Sequence, residues 1–202
     1  MKKRLEEWPS WAEQALQGVT YWIGHRRSLY PYYPLAEAAL VAEVCNLIHA
    51  NLNDGYSLKC EVRYTEFLPG VPHTSDLTER ARIDLVVAEK VRKNGNVRLK
   101  PRFAIEVKRA SASTASINAD LRRLASVRAH KPEVRAFLFV ISEAARPGRF
   151  VSDEGKSILG RHRIPSGSGH FRVRRTWKAA RAFKGKNSAH YACLIEIYGH
   201  EH

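Results

Sequence analysis

Asp84, Glu106 and Lys108 are the residues of this chain best placed to do chemistry, because each is a charged group inside an apolar run. Asp84 interrupts Ile83-Asp84-Leu85-Val86-Val87, and Glu106 and Lys108 interrupt Phe103-Ala104-Ile105-Glu106-Val107-Lys108. Side chains alternate faces along a strand. Glu106 and Lys108 therefore share one face, with Ile105 and Val107 on the other, and Asp84 opposes Ile83, Leu85 and Val87. Asn94-Gly95 between the two runs is a strong hairpin signal. The pairing it predicts brings two carboxylates and an ammonium together. Charged groups do not enter apolar strands without a partner, and a divalent cation is the natural one.

The elements that must position this group are legible in outline. Ser10 and Glu13 have the spacing of a capping box, and Trp11, Val19, Trp22 and Ile23 supply the apolar side of a helix ending near Gly24. After the turn-rich Tyr30-Pro31-Tyr32-Tyr33-Pro34, a second helix is expected from Pro34 to about Leu52, apolar almost all round. A strand over about 57–67 and the hairpin follow. The segment 111–116 reads as a polar loop. The next helix places Ile117, Leu121, Leu124 and Val127 on one stripe and stops before Lys131-Pro132. Ala136 to Ile141 is a continuous apolar run, as in a strand buried on both faces. An edge strand over about 170–177 is expected to set Phe171, Val173 and Trp177 against Arg172, Arg174 and Thr176, with a closing strand over about 191–198. Helices and strands mixed in this order imply an α/β sandwich around a mixed sheet. The expected organisation is one domain: a helical extension over about 1–33, a core over about 34–144 and a basic segment over about 145–202.

Ile83-Asp84 on one strand and Glu106-Val107-Lys108 on the next resemble the motif of the PD-(D/E)xK nuclease superfamily, with a helix bearing Glu37 before them and a helix after. The resemblance covers roughly residues 34–142. Isoleucine stands where the motif's proline is usual, and no Gln-x-x-x-Tyr helix of the RecB-type branch is present. The resemblance implies the restriction-endonuclease-like fold, a mixed β-sheet flanked by helices on both faces. It also implies hydrolysis of phosphodiesters with Mg²⁺, or Mn²⁺ in its place. Asp84, Glu106 and the Val107 carbonyl would be ligands, few enough for an ion that keeps several waters. Lys108 would orient the attacking water, and Glu37, on the helical face of Leu40, Val41, Val44 and Ile48, is either a fourth member or a helix N-terminal charge. Dimeric action is common in the superfamily, so a homodimer is compatible with the resemblance.

Composition points the same way. The 202 residues carry 34 Lys and Arg against 20 Asp and Glu, a net charge of +14, which implies polyanionic partners. Between Glu154 and Glu196 there is no acid but ten basic residues. Arg172, Arg174, Arg175, Lys178, Arg181, Lys184 and Lys186 are the expected phosphate contacts in this block. Arg122 and Arg123 are further candidates, although a solvated helix face explains them equally well. No run is long enough to span a membrane. The three scattered cysteines form no disulfide framework, and the whole reads as cytoplasmic. Cys45 and His49, four apart on a helix, suit a buried thiol and an ordinary histidine better than half a zinc site. Asp120, on the side of Ile117, Leu121 and Leu124, is placed either to hydrogen-bond near the site or to cap a neighbouring loop, with a structural role the better fit. Tyr30, Tyr32 and Tyr33 suit packing on the first helix better than stacking on bases. The leading expectation is a DNA endonuclease. Its rivals are a non-catalytic nucleic-acid-binding module on the same fold and an RNA-binding accessory protein.

Overall fold

The computed structural model describes residues 9–30, 32–72, 74–93, 95–180 and 189–199. They form four helices and a seven-stranded mixed sheet of order β1-β2-β3-β4-β7-β6-β5. The strands are β1 (Tyr56–Arg63), β2 (Arg82–Lys93), β3 (Asn96–Arg109), β4 (Arg135–Ser142), β5 (His162–Arg163), β6 (His170–Ala180) and β7 (Ala189–Tyr198). Only β3 and β4 pair in parallel. A parallel neighbour needs a crossover connection, and α4 (Thr114–His130) supplies it.

Helices cover both faces, so the architecture is α/β in three layers. On one side α1 (Ser10–Leu29) buries Trp11, Ala12, Ala15, Leu16, Val19 and Ile23, and α2 (Glu37–Asn51) buries Leu40, Val44 and Ile48. Both pack on Leu85, Val87, Ile105, Val107, Phe137, Phe139 and Ile141. On the other side Ile117, Leu121, Leu124 and Val127 of α4 pack on Val86, Ala104, Ala136, Leu138 and Val140. The alternation of β4 between the two lists follows directly from strand geometry. Its residues from Ala136 to Ile141 are all buried, which is why that run is apolar throughout.

Several local expectations are corrected. Ser10 is the first residue of α1 rather than its cap, and the helix continues through Gly24 to Leu29. Glu13 ion-pairs with Arg175 at 2.9 Å instead of closing a capping box. The second helix begins at Glu37, and it buries one stripe rather than its whole circumference. The first strand stops at Arg63, where a single turn, α3 (Tyr64–Phe67), turns Tyr64 into the core. The 111–116 loop is shorter than expected, since Ser113 caps α4 by accepting a hydrogen bond from Ser116 N at 3.1 Å.

In β6 the expected alternation breaks. Val173 pairs with Ile195 but Arg175 with Leu194, so a bulge inserts Arg174. Phe171 and Val173 face α4, whereas Trp177 emerges against the α1–α2 layer. Nor is β6 the edge, because the two-residue β5 lies outside it and β7 runs inside the sheet. Gly169 (φ +97°) opens β6, where a Cβ would run into the Tyr198 carbonyl. Arg181, Lys184 and Lys186 lie outside the described residues.

Candidate active site

The acidic residues meet where β2 and β3 stop pairing. The ladder runs from Lys93↔Asn96 to Leu85↔Ile105 and ends one residue short of Asp84. There the Asp84 carboxylate takes over: Oδ2 accepts a hydrogen bond from Val107 N at 2.7 Å, and the Asp84 and Glu106 carboxyl groups lie within hydrogen-bonding reach. Opposite Asp84 on β1, Glu61 holds a left-handed backbone (φ +55°), a conformation that is costly outside glycine and concentrates at functional sites. Glu37, Cys45, Cys60, Glu61 and Asp84 line a groove of about 500 Å³ between α2 and β1.

Glu106 is 2 % exposed and projects toward α4, away from Ile105 and Val107, as strand alternation requires. Tyr64 Oη donates to Glu106 Oε1 at 2.6 Å, and Arg123 Nε lies 3.8 Å from the same oxygen. Burial, then the charges of Asp84 and Asp120, push the Glu106 carboxyl well above its ordinary value. Burial raises Asp84 to about 6 although the Val107 N–H pulls the other way. Two desolvated carboxyls in contact resist double ionisation, so this pair attracts positive charge.

Lys108 stands beside the pair but is held elsewhere. Its Nζ donates to Glu37 Oε1 at 2.6 Å and lies 3.3 Å from Asp120 Oδ2. Burial opposes its charge, but the Glu37 and Asp120 carboxylates outweigh that and raise its pKa, so it stays an ammonium. Glu37 occupies the first turn of α2 and also reaches Lys108, so the helix-terminal and site readings of this residue hold together. Among the described residues no three His, Cys, Asp or Glu side chains gather closely enough to hold a metal by themselves. The donor set available is two carboxylates with adjacent backbone, which suits Mg²⁺, a hard ion that retains water, better than a softer metal.

Three residues complete the site: Tyr64, which the sequence left unassigned, and Asp120 and Arg123, which it assigned other leading roles. Asp120 is fully buried and ion-pairs with both Lys108 and Arg123, so of its two expected placements it takes the one beside the site. The signal was a carboxylate on the apolar stripe of α4, one residue from Leu121. Arg123, a candidate phosphate contact, is instead turned inward to Asp120 and Glu106. Arg122 forms a two-pronged bond to Asp76 at 2.6 and 2.8 Å. In the basic block Arg174 binds Glu196 and Tyr198, Arg175 binds Glu13, Arg172 pairs across the ladder with Glu196, and Lys178 is exposed over the Tyr191 ring. Of the tyrosines expected to pack on α1, Tyr30 lies under the Arg26 guanidinium of that helix, whereas Tyr32 and Tyr33 are 84 % and 68 % exposed. Cys45 Sγ lies 3.3 Å from Cys60 Sγ, not beside a zinc-like set, and burial with this contact raises the Cys60 thiol to about 11.

Comparison of the chain with family models, with curated proteins and with solved structures finds no match. No helix among the described residues is long and apolar enough to cross a membrane.

Proposed function

We propose that this chain is a divalent-metal-dependent nuclease of the PD-(D/E)xK kind, on a restriction-endonuclease-like fold, hydrolysing phosphodiester bonds in DNA. One observation carries the reading: Asp84 and Glu106, from adjacent strands, present touching, desolvated carboxyls beside an ammonium on the same strand as Glu106. Asp84, Glu106 and the Val107 carbonyl would hold Mg²⁺ or Mn²⁺. When bound, the ion supplies a Lewis acid for a phosphoryl oxygen and lowers the pKa of a coordinated water.

The chain's own groups have separable tasks. The Val107 N–H fixes Asp84 and the Tyr64 hydroxyl fixes Glu106, so both are oriented before any ligand arrives. Such preorganisation is what makes electrostatic catalysis effective. Lys108 can only donate hydrogen bonds. It orients the attacking water and offsets charge developing on the phosphate, and its raised pKa rules it out as the proton acceptor near neutrality. Glu37 and Asp120 hold its Nζ in place, and Arg123 offsets the Asp120 and Glu106 charges.

The test is incubation of the purified chain with supercoiled plasmid, linear duplex, single-stranded DNA and RNA, with Mg²⁺, Mn²⁺ or EDTA. Nicking of closed circular DNA that requires metal and is lost in Lys108→Ala is the expected result. Binding of DNA with no cleavage under any condition would replace the enzyme by a non-catalytic binding module on this fold.

A further inference from the structure

The β2–β3 hairpin outruns the sheet that supports it. β1 pairs with β2 no further than Glu89, and β4 pairs with β3 only from Phe103. Beyond those points, apart from one bond from Lys90 N to the Gly55 carbonyl, residues 90–93 and 96–99 form a ladder of two strands, Lys90↔Leu99 to Lys93↔Asn96, with Gly95 (φ +79°) in the turn. Every described residue from 90 to 100 is exposed. An isolated two-stranded ribbon is marginal in water, so a projecting one implies a partner.

The composition of this arm identifies the partner's chemistry. Residues 90–100 contain Lys90, Arg92, Lys93, Arg98 and Lys100 and no acid. None of the five forms an ion pair or side-chain hydrogen bond with another described residue. The register places Lys90 and Arg92 on one face and Lys93, Arg98 and Lys100 on the other. Three of these cations face an aliphatic partner across the ladder, Lys90↔Leu99, Arg92↔Val97 and Arg98↔Val91, and no cation opposes another cation. Like charges directly opposite would destabilise the ribbon. Long basic stems lie well over such apolar side chains while their heads reach outward. The base is stiffened: Arg102 binds Glu89 at 2.5 Å, and it is the extra residue of a bulge in β3, beside Pro101, where a missing N–H is tolerated.

We propose that this arm is a duplex-DNA-binding β-ribbon that enters the major groove of the nuclease's substrate. A B-form major groove, about 12 Å wide, admits a two-stranded ribbon. The deep, narrow major groove of A-form RNA does not. From Val97 to Glu106 the strand covers about 30 Å at ~3.4 Å per residue, close to the roughly 34 Å of one DNA helical turn. The arm thus engages the duplex about one turn from the site of cleavage. The choice of substrate rests on the nuclease reading, but the binding itself does not require cleavage.

The test is fluorescence anisotropy of a labelled DNA duplex of roughly three helical turns, titrated in EDTA over a range of salt with the full chain. The wild type is compared with the Arg92→Gln/Arg98→Gln/Lys100→Gln variant and with Arg98→Gln alone. Each lost phosphate contact lowers the slope of log K against log salt by about 0.9. Two or three contacts make wild-type affinity fall about 10- to 40-fold more than the variant's between 50 and 200 mM salt. Unchanged thermal melting of both variants is expected, because the substituted side chains are exposed. Equal salt slopes for wild type and triple variant overturn the proposal, as does an equal loss on duplex RNA. So does a wild type that pellets with phosphatidylserine vesicles through the arm, or forms a dimer that the triple variant does not, with the DNA slope unchanged. A slope difference without any metal-dependent cleavage leaves the arm standing and removes the nuclease reading; cleavage without a slope difference does the reverse.

Discussion

Replacing Asp84 with asparagine is expected to abolish cleavage and make the protein more stable. Burial lifts the Asp84 carboxyl from 3.8 to about 6, and each pKa unit corresponds to about 1.4 kcal/mol. Keeping this group ionised in the fold therefore costs up to about 3 kcal/mol above pH 6. The sign follows from linkage: with the folded value raised, the unfolded chain loses its proton first, so stability falls as pH rises from about 4 to about 6. Asparagine removes that penalty. Its Oδ1 can still accept from Val107 N, and its amide can donate to Glu106, which also loses a repelling neighbour. A gain of roughly 1–3 kcal/mol raises Tm by about 2–12 °C for a chain of this size. Calorimetry in EDTA at about pH 8 and about pH 4 separates this effect from generic stabilisation, since only about 0.5 kcal/mol survives at the lower pH. Asp76→Asn serves as the opposite control: its hydrogen bond to Arg122 holds that carboxyl below its ordinary range, so neutralising it costs stability. Adding Mg²⁺ should stabilise the wild type alone, because a ligand stabilises only the form it binds. An Asp84→Asn protein that melts at or below the wild type at about pH 8 without metal would refute the account of the site as a desolvated, cation-seeking pair.

Lys108→Met, close in shape but uncharged, should lower single-turnover cleavage by about 10²–10³-fold, the range for losing one preorganised donor. It should also lower the urea midpoint, because Glu37 and the buried Asp120 lose their shared cation. Tyr64→Phe removes the hydroxyl that Glu106 accepts from, which should cost about 1–3 kcal/mol of stability. Because that hydrogen bond holds the Glu106 pKa down, the acid limb of the pH–rate profile should move to higher pH, and an unmoved limb would exclude Glu106 from the titrating group.

What the sequence disclosed about the fold was set by periodicity. Continuous apolar runs located β4 and the inner halves of β2 and β3, because a strand covered on both faces has no polar positions to offer. The stripe of Ile117, Leu121, Leu124 and Val127 located α4 for the corresponding helical reason. Helix starts were the least legible boundaries, because a side-chain cap and a residue that only resembles one look alike in sequence. Ser113 was overlooked inside a polar stretch, while Ser10 imitated a cap it does not make, since Pro9 precedes it as the N-cap. The β6 bulge could not be read at all: one inserted residue flips every later side chain, and no glycine or proline marks it. At the site, Asp84 and Glu106 share a hairpin that the sequence marks by its turn, but they meet only because β3 carries one extra residue, Arg102; the register set at the turn would have put Asp84 opposite Ile105. Tyr64, Asp120 and Arg123 reach Glu106 and Lys108 through tertiary packing, which local spacing does not encode.

Charge illustrates a different separation between sequence and structure. The acid-free block after Glu154 is the denser run of cations, yet folding pairs Arg174 and Arg175 with Glu196 and Glu13, acids far away in the chain. A paired arginine that must leave its carboxylate to meet a phosphate exchanges one ion pair for another, so it adds little to affinity. The hairpin cations form no ion pair with any described carboxylate, and Glu89 at the arm's base is already bound by Arg102. Each phosphate they meet therefore releases counterions with no opposing loss. A contribution to polyanion binding is thus governed by how many cations folding leaves unpartnered, and on that measure the two-stranded arm outranks the described part of the C-terminal block.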